Sequence, residues 1–445
     1  MEYIGYAGLF FKTLLFPFLS SERRQEIQKA RLKKLVAHTK ACSPFFAKLY
    51  KDIGEDFKLG DLPVTTKPMM MENFDDWVTD RTVTLDGIRE FMKDKGNIGQ
   101  SSFGKYLAAE TSGSTGYPAV MLQDKRAKKV STVTTFLRAL GLRFPIVCVC
   151  VDDEFGLFNG FVRMNTAKYP VLKHFVRIVN AKKSFEQTVN EFNRIKPKTL
   201  IGYPGTLELL TDMVYEGKLN IKPSLVIASG EHLSESTRKK LTDAFGCPVR
   251  SIYGCTEGGS MAIECRMNHL HVNYDWCILE PVDENHKPVP SGQMSDSVLL
   301  TNLSNFVQPV IRYEVTDRVT VHDEACPCGK KGLWIEVEGR TSDVIYFDHG
   351  EKRIGVAPMS LYDVIEVVPG VKNFQVILHP GNRVELRLVH MTDADRMQTF
   401  ENVKKALTGY LHKLGVIDVS VYLSDGLPER NKRSGKFKQI YQVNE

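Results

Sequence analysis

The stretch Thr111-Ser112-Gly113-Ser114-Thr115-Gly116, followed by Tyr117-Pro118, alternates hydroxyl side chains with glycines. Glycine allows tight backbone bends, and the hydroxyls with the exposed N–H groups supply donors suited to a polyanion. A Walker A loop needs Gly-Lys-Ser/Thr and runs directly into a helix, and neither condition holds here. Taken alone, such a loop is more often a polar hairpin turn than a phosphate cradle.

Further along stand Tyr253-Gly254-Cys255-Thr256-Glu257, Ile311-Arg312-Tyr313 with Asp317, Gly339-Arg340 with Asp343, and Ser434-Gly435-Lys436. Carboxylates suit Mg²⁺ and sugar hydroxyls, and a lysine suits phosphate. Each also has a plainer reading. Glu257 alone is more often a surface carboxylate or a strand-end cap, Asp317 a turn residue, and Lys436 part of the solvated basic run Lys432 to Lys438. Cys326-x-Cys328 is a weak metal signal by itself. Cys265 and His271 upstream would complete a Cys₃His tetrahedron for a structural Zn²⁺, against the alternative of buried free thiols.

The elements that must position these residues follow from hydrophobic periodicity. Tyr106 to Glu110 and Ala119 to Gln123 read as strands flanking the glycine loop, ahead of a helix near Asp124 to Leu142. Ile146 to Val151 reads as a buried strand, and Phe185, Val189, Phe192 and Ile195 mark one helix face. Strands at Thr199 to Ile201, Leu225 to Ala228 and Val249 to Tyr253 alternate with helices near Gly205 to Tyr215 and Ser234 to Phe245. That rhythm predicts an α/β fold with a mostly parallel sheet and ligands at the carboxyl ends of its strands, where Tyr203, Ser229-Gly230-Glu231 and Tyr253-Gly254 fall. After about Arg340 the pattern changes. Strands at 345–347, 374–378, 384–389 and 419–423 with helices near 360–367 and 393–414 predict a small α+β domain. The expected organisation is a large domain over 1–340, a hinge at 341–345 containing Asp343, and a small domain over 346–445.

The 445 residues are 42% apolar and 25% charged, an ordinary globular composition, and the net charge of +6 is mild. No basic run interleaved with aromatics points to nucleic acid. Nine cysteines at irregular spacing argue against a disulfide framework and for the cytoplasm. The apolar stretch Ile4 to Leu19 is interrupted by Lys12 and Pro17, with no small-residue cleavage site after it. It is expected to pack on the protein's own surface, with membrane contact confined to residues 4–19. Ser20 or Ser21 then caps a basic helix from about Glu22 to Ala41.

The set of five motifs, in this order, resembles the adenylate-forming enzymes: acyl-CoA synthetases, peptide-synthetase adenylation domains and luciferases. The likeness is strongest to the phenylacetate–CoA ligase-like branch, which includes capsule-synthesis and deazaflavin-cofactor adenylylating relatives. Ser43-Pro44-Phe45-Phe46, Thr65-Thr66-Lys67, Phe155-Gly156-Leu157-Phe158, Glu264-Cys265 and Cys326-Pro327-Cys328-Gly329 support that branch. The resemblance implies ATP-dependent adenylation of a small carboxylic acid followed by thioester formation with CoA. The alternative is an adenylating enzyme whose acceptor is an amine or a carrier protein, or an adenylyltransferase. By resemblance, Ser112, Gly113, Ser114, Thr115 and Gly116 hold the β- and γ-phosphates. Thr256 meets the α-phosphate and Glu257 holds Mg²⁺. Tyr253, Gly254 and Ser229-Gly230-Glu231 flank adenine, and Asp317 binds the ribose beside Arg340. Lys436 bridges carboxylate and α-phosphate, and the small domain turns about Asp343 between half-reactions. Branch members carry the same Cys-His-Cys-Cys set and are often dimers, so the resemblance implies a structural Zn²⁺ and a homodimer.

Two departures stand out. Glu314-Val315-Thr316-Asp317 replaces the family's Arg-Thr-Gly-Asp, losing a threonine while keeping the aspartate. A lengthened Glu351 to Ala357 separates Gly350 from Pro358, where CoA-using relatives place a glycine lining the thiol channel and a proline close behind it. The acyl pocket is expected to draw on Phe136, Phe158, Tyr203 and Cys255, which suit an aryl or medium-sized apolar acid and read equally well as core.

Overall fold

The computed structural model describes residues 5–111, 118–141, 143–150, 153–180, 183–340, 343–350, 352–430 and 437–443. Two compact units emerge: Met1–Val315 with Val319–Glu336, and Thr316–Arg318 with Val337–Glu445. The division falls inside a strand, a few residues before the expected hinge, and the short segment Thr316–Arg318 belongs with the second unit.

The large unit begins with helices α1 (Tyr6–Leu15) and α2 (Ser21–Cys42), the latter capped by the Ser20 hydroxyl accepting from the Arg23 N–H. Four short helices follow, α3 (Pro44–Leu49), α4 (Lys67–Glu72), α5 (Phe74–Trp77) and α6 (Leu85–Lys93). A three-stranded antiparallel sheet, β1 (Ser101–Ser102), β2 (Tyr106–Glu110) and β3 (Val120–Gln123), leads into α7 (Lys125–Thr135). The helix expected to run to Leu142 instead changes at Phe136. Residues Phe136–Leu140 form a π-helical turn that ends at Gly141, whose φ of +61° suits glycine.

Next come β4 (Ile146–Cys150), α8 (Leu157–Lys168), β5 (Val176–Asn180), α9 (Phe185–Ile195), β6 (Thr199–Gly202), α10 (Pro204–Tyr215), β7 (Leu225–Ser229), α11 (Glu235–Phe245) and β8 (Val249–Cys255). Strands β5, β4, β6, β7 and β8 lie in that order, all parallel. Their apolar runs are explained by burial on both faces. Val147, Val149, Val226 and Ala228 pack on one side with Phe192, Leu207 and Leu241, while Ile146, Cys148, Ile201 and Ile227 pack on the other with Ala139 and Ile252.

Beyond β8 the sheet turns antiparallel through β9 (Gly259–Glu264) and β10 (Leu270–Val272). A second sheet contains β11 (Cys277–Val282), β12 (Ser297–Asn302) and β13 (Tyr313–Val315). Strands β14 (Asp317–His322) and β15 (Trp334–Arg340) complete the nine-stranded sheet, with β15 antiparallel to β10.

In the small unit, β16 (Ile345–His349) and β17 (Lys352–Val356) form a hairpin, followed by α12 (Pro358–Glu366). The lengthened segment before Pro358 therefore supplies β17, the second strand of a regular hairpin, with Gly350 at the turn (φ +62°) and Pro358 opening a helix. Strands β18 (Val371–His379), β19 (Arg383–His390), β20 (Ser420–Leu423) and β21 (Ile440–Gln442), with α13 (Arg396–Lys413), enclose a core that includes Phe347, Leu361, Leu386 and Leu407. Among the described residues no helix is long and apolar enough to cross a membrane.

Candidate active site

Register fixes which strand ends meet. Gly202 pairs with Ala228 and Ser229 with Ile252, so Tyr203, Ser229-Gly230-Glu231 and the Tyr253 to Glu257 stretch emerge side by side at the carboxyl edge. Gly230 takes a φ of +82°, which lets the chain reverse immediately after β7. A Glu231 carboxylate oxygen accepts from the Gly205 N–H at 3.3 Å, at the positive end of α10. The Ser229 hydroxyl donates to the Ile252 carbonyl at 3.3 Å, tying β7 to β8. Burial pushes the Tyr203 phenol up, and Cys150, Glu231 and Glu154 add to the effect.

The turn between β8 and β9 is sterically determined. A Cβ on Gly254 would lie 2.1 Å from the Gly259 carbonyl oxygen, and one on Gly258 would lie 2.7 Å from the Met261 sulfur. Between them Glu257 is only 7% exposed. The Tyr313 hydroxyl donates to its Oε1 at 3.2 Å, Lys67 Nζ lies 4.0 Å away, and the Asn302 amide donates to its backbone carbonyl at 3.0 Å. Burial, with the Glu257 charge beside it, holds the Tyr313 phenol far above its ordinary range, so it stays a donor. Thr65 positions Lys67 by pairing with β13: its N–H donates to the Arg312 carbonyl and its own carbonyl accepts from the Glu314 N–H. Thr256 is half-buried at the head of this turn.

The glycine loop's neck reaches the same edge. Thr111 N–H donates to the Ala119 carbonyl at 2.9 Å, and the Ala119 N–H returns a bond to the Thr111 hydroxyl at 2.8 Å. One residue earlier, the Glu110 N–H donates to the Phe155 carbonyl at 2.7 Å, just past the carboxyl end of β4. Among the described residues strand β3 has no further strand beyond it. Instead Gln308 accepts from the Leu122 N–H at 2.6 Å and donates to the Val120 carbonyl at 3.0 Å, while Asn305 donates to the Leu122 carbonyl at 2.7 Å. Ser112, Gly113, Ser114, Thr115 and Gly116 lie outside the described residues.

Asn302, Asn305 and Gln308 were not among the expected site residues, and Tyr313 and Lys67 fell within quoted motifs without an assigned role. The three amides stand three residues apart, from the last residue of β12 into the segment before β13, and that spacing is the sequence signal that marks them. Arg312, in the Ile311-Arg312-Tyr313 motif, is structural: its guanidinium is buried, 3.2 Å from Glu280, and donates to the Gly60 and Leu62 carbonyls.

The expected acyl residues do not form one cluster. Phe136 stacks on Phe144 at 6.2 Å, and Phe144 meets Phe175, both rings preceding the amino ends of β4 and β5. Tyr203 and the Cys255 thiol, which faces the Met261 sulfur at 3.9 Å, belong to the opposite edge. Phe158 is 39% exposed in the first turn of α8.

In the small unit, Asp317 is buried at the start of β14, and Asp343 accepts an ion pair from Lys438 Nζ at 2.7 Å. Arg340 closes β15, and its side chain is outside the described residues, as is Lys436.

At the other end of β9 four ligand atoms converge. One donor atom from each of Cys265, His271, Cys326 and Cys328 lies within 4.8 Å of the others. The Cys265 and Cys326 sulfurs are 3.8 Å apart, and Cys328 Sγ is 3.4 Å from His271 Nε2. A tetrahedron with Zn–S bonds of about 2.3 Å has edges of about 3.8 Å, so the set fits zinc. The Met267 and Lys330 N–H groups point at Cys265 and Cys328 sulfurs, each at 3.3 Å, as they would to thiolates. Burial, then Lys330 and His269, lowers the His271 pKa to about 4, keeping the imidazole neutral and available as a ligand. His269 lies 3.3 Å from the Cys326 sulfur and stacks on Trp334, whose other face carries His322.

No family model matches the chain. It is 23% identical over 381 residues to the phenylacetate–coenzyme A ligase of Thermus thermophilus, covering 81% of this chain and 79% of that one. It is 24% identical over 225 residues to Protein CapK of Staphylococcus aureus, 49% of this chain and 48% of that. Its fold matches a crystal structure of 2-hydroxyisobutyryl-CoA ligase in the postadenylation state with 2-HIB-AMP. The TM-score is 0.70 at 16% identity, covering 95% of this chain and 90% of that one. The likeness to adenylate-forming enzymes of the phenylacetate–CoA ligase-like branch is borne out, and the fold is theirs.

Proposed function

We propose that this protein is an AMP-forming acid–thiol ligase, joining a small carboxylic acid to ATP as an acyl-adenylate and then passing the acyl group to CoA. The observation that carries the reading is the Glu110–Phe155 hydrogen bond. It ties the neck of the glycine-hydroxyl loop to the carboxyl edge where buried Glu257 and the Ser229-Gly230-Glu231 turn also sit. In the first step a carboxylate oxygen attacks the α-phosphorus of ATP, and the bond to the bridging oxygen breaks to release pyrophosphate. Two anions approach, so charge stabilisation is the main task.

Glu257, with Tyr313 fixing one oxygen, is the residue to hold Mg²⁺, which when bound neutralises charge on the triphosphate. The loop Ser112 to Gly116 is assigned to the β- and γ-phosphates, and Thr256 to the α-phosphate. Tyr253, Gly254 and the Ser229-Gly230-Glu231 turn are assigned to adenine, Asp317 with Arg340 to the ribose, and Lys436 to the reacting carboxylate. Asp343 remains the hinge. Tyr203 and Cys255 are retained for the acyl group; Phe136 and Phe158 fit it less well. Cys265, His271, Cys326 and Cys328 are assigned to a structural zinc that joins the β9–β10 hairpin to the loop before β15. All nine cysteines are free, which suits the reducing cytoplasm we assign to the enzyme.

A second reading keeps adenylation but delivers the acyl group to an amine or carrier protein. The lengthened Glu351 to Ala357 favours it, because it separates Gly350 from Pro358 where CoA-using relatives place a glycine and a nearby proline. Thioester formation separates the two: a hydroxamate-trapped adenylate that never becomes an acyl-CoA selects the second. Lys436→Ala is expected to abolish adenylate formation, by about 10²-fold or more, with ATP affinity nearly unchanged. Full activity in that variant contradicts the assignment of the lysine.

A further inference from the structure

Helix α1 and the turn after it have two apolar faces, and the large unit uses one. Leu9, Thr13 and Phe16 are buried, with Leu9 packed on Val130, Val133 and Trp276. Phe11, Leu14, Leu15 and Phe18 fall at i, i+3, i+4 and i+7, a second stripe, and are 58%, 43%, 56% and 79% exposed. A lone exposed leucine is ordinary, but four large apolar side chains in helical register mark a contact surface. The proposed reaction uses none of them.

Charge decides what covers the stripe. The first fifty residues hold nine lysines and arginines against three glutamates, whereas the rest of the chain carries fifty of each sign. Helix α2 rests on the same turn as α1: Gln28 donates to the Tyr274 carbonyl at 2.8 Å, and Arg31 lies 3.6 Å over the Trp276 ring. Its Arg23, Lys29 and Lys34 are exposed.

Beside α1 lies a cleft of about 1090 Å³, walled in part by Tyr6 and lined by seven lysines and arginines, among them Lys125, Lys128, Lys129 and Lys168. Lys129 Nζ stands 5.3 Å over the Tyr6 ring, joining cleft and helix. Among the described residues, the two carboxylates of the lining have internal partners. Asp80 pairs with Lys105 at 2.9 Å and accepts from Tyr106 at 2.7 Å. Asp124 caps α7 at the Ala127 N–H and accepts from the Phe306 N–H. Burial pulls the pKa of Lys128 and Arg126 down, so both gain from an anion placed beside them. Tyr106 and Asp124 stand at the opposite end of the β2–β3 hairpin from Thr111, so this is not the phosphate-loop site.

A second copy docked by a twofold axis would bring like charge against like charge. An acidic surface with hydrocarbon beneath it satisfies both features. We propose that α1 is an interfacial helix that docks the protein on an anionic lipid bilayer. Phe11, Leu14, Leu15 and Phe18 enter the headgroup–acyl boundary, and the cations of α2 and the cleft face the headgroups. One inserted apolar stripe and one basic patch are the two signals that reversible anchoring needs. Lys12, exposed on the same helix, can extend its stem along the stripe and keep its charge at the headgroups.

The test is sedimentation of the full-length protein with vesicles of phosphatidylcholine alone and of phosphatidylcholine with one-third phosphatidylserine, at low and high salt. Binding is expected only with phosphatidylserine and is expected to fall as salt rises. Lys125→Glu with Lys168→Glu should weaken it about tenfold or more. Phe11→Ser with Phe18→Ser should weaken it comparably, with an unchanged melting temperature, since both rings are exposed. Phe18→Ser alone, at the most exposed position, serves if the double variant is unstable. No association with anionic vesicles overturns the proposal, as does binding that ignores the phenylalanine variants. A wild-type dimer that these variants make monomeric, without vesicle binding, assigns the stripe to a second copy and also overturns it.

Discussion

The turn that enters β9 and the turn that leaves it are built on opposite principles. At the entry, backbone packed against Gly254 and the Met261 and Leu300 side chains packed against Gly258 leave no room for a Cβ, and Tyr313 and Asn302 hold Glu257 by its side chain and its carbonyl. The exit turn has little apolar support, a small cluster of Cys265, Cys326 and Trp334 with Cys328 against it. Its ligands come from two segments some sixty residues apart in sequence, and a metal is the natural closure. The Glu257 carboxylate, proposed to hold Mg²⁺, is fixed by steric contacts and hydrogen bonds within the protein. A corner that must only stay closed can depend on an ion.

The largest expected effect separates the two corners by chemistry. Glu257→Gln should lower adenylate formation by about 10²- to 10³-fold while moving the melting temperature by less than about 4 °C. Pyrophosphate release and a thermal melt check both parts. Cys326→Ser should do the reverse. Zinc content should fall from about one per chain to none, with a loss of roughly 3 kcal/mol in stability and much of the activity kept at low temperature. If Cys326→Ser changes neither metal content nor stability, the exit corner is held by packing and the contrast collapses. Gln308→Ala sharpens the comparison from a third side. It leaves the Leu122 N–H and Val120 carbonyl unpaired in a buried place, at a cost of about 2–3 kcal/mol. Because that hairpin leads into the loop proposed to hold the phosphates, KM for ATP should rise by a few-fold with kcat less affected.

In the parallel half of the large sheet β4, β6, β7 and β8 were legible because they alternate with helical patterns, whereas the edge strand β5, half-buried and carrying Arg177, was not read. Val249 to Tyr253 and Thr199 to Ile201 are within two residues of β8 and β6. The antiparallel half was not read. Strands β9 to β13 run antiparallel with no helix between them, so they lack that rhythm even where, as in β12, every residue is buried. The π-helical turn at Phe136–Leu140 was missed for another reason: a widened turn leaves no mark in a helical periodicity. At the site, glycines and carboxylates were visible as motifs. Gln308 was not, because what it does depends on pairing with a strand more than 180 residues earlier. The four residues proposed to hold zinc, which the fold brings together, were legible from residue type. Their stacked neighbours His269, Trp334 and His322 depend on the register of β10 against β15.

The most direct test of the central claim is pyrophosphate release from ATP by the wild-type protein across a panel of aryl and medium-sized apolar carboxylic acids, each with and without CoA. The account predicts release that depends on at least one acid and is lost in Glu257→Gln, with an acyl-CoA formed when CoA is present. An absence of acid-dependent release with every member of the panel, from protein shown to be folded, would contradict it.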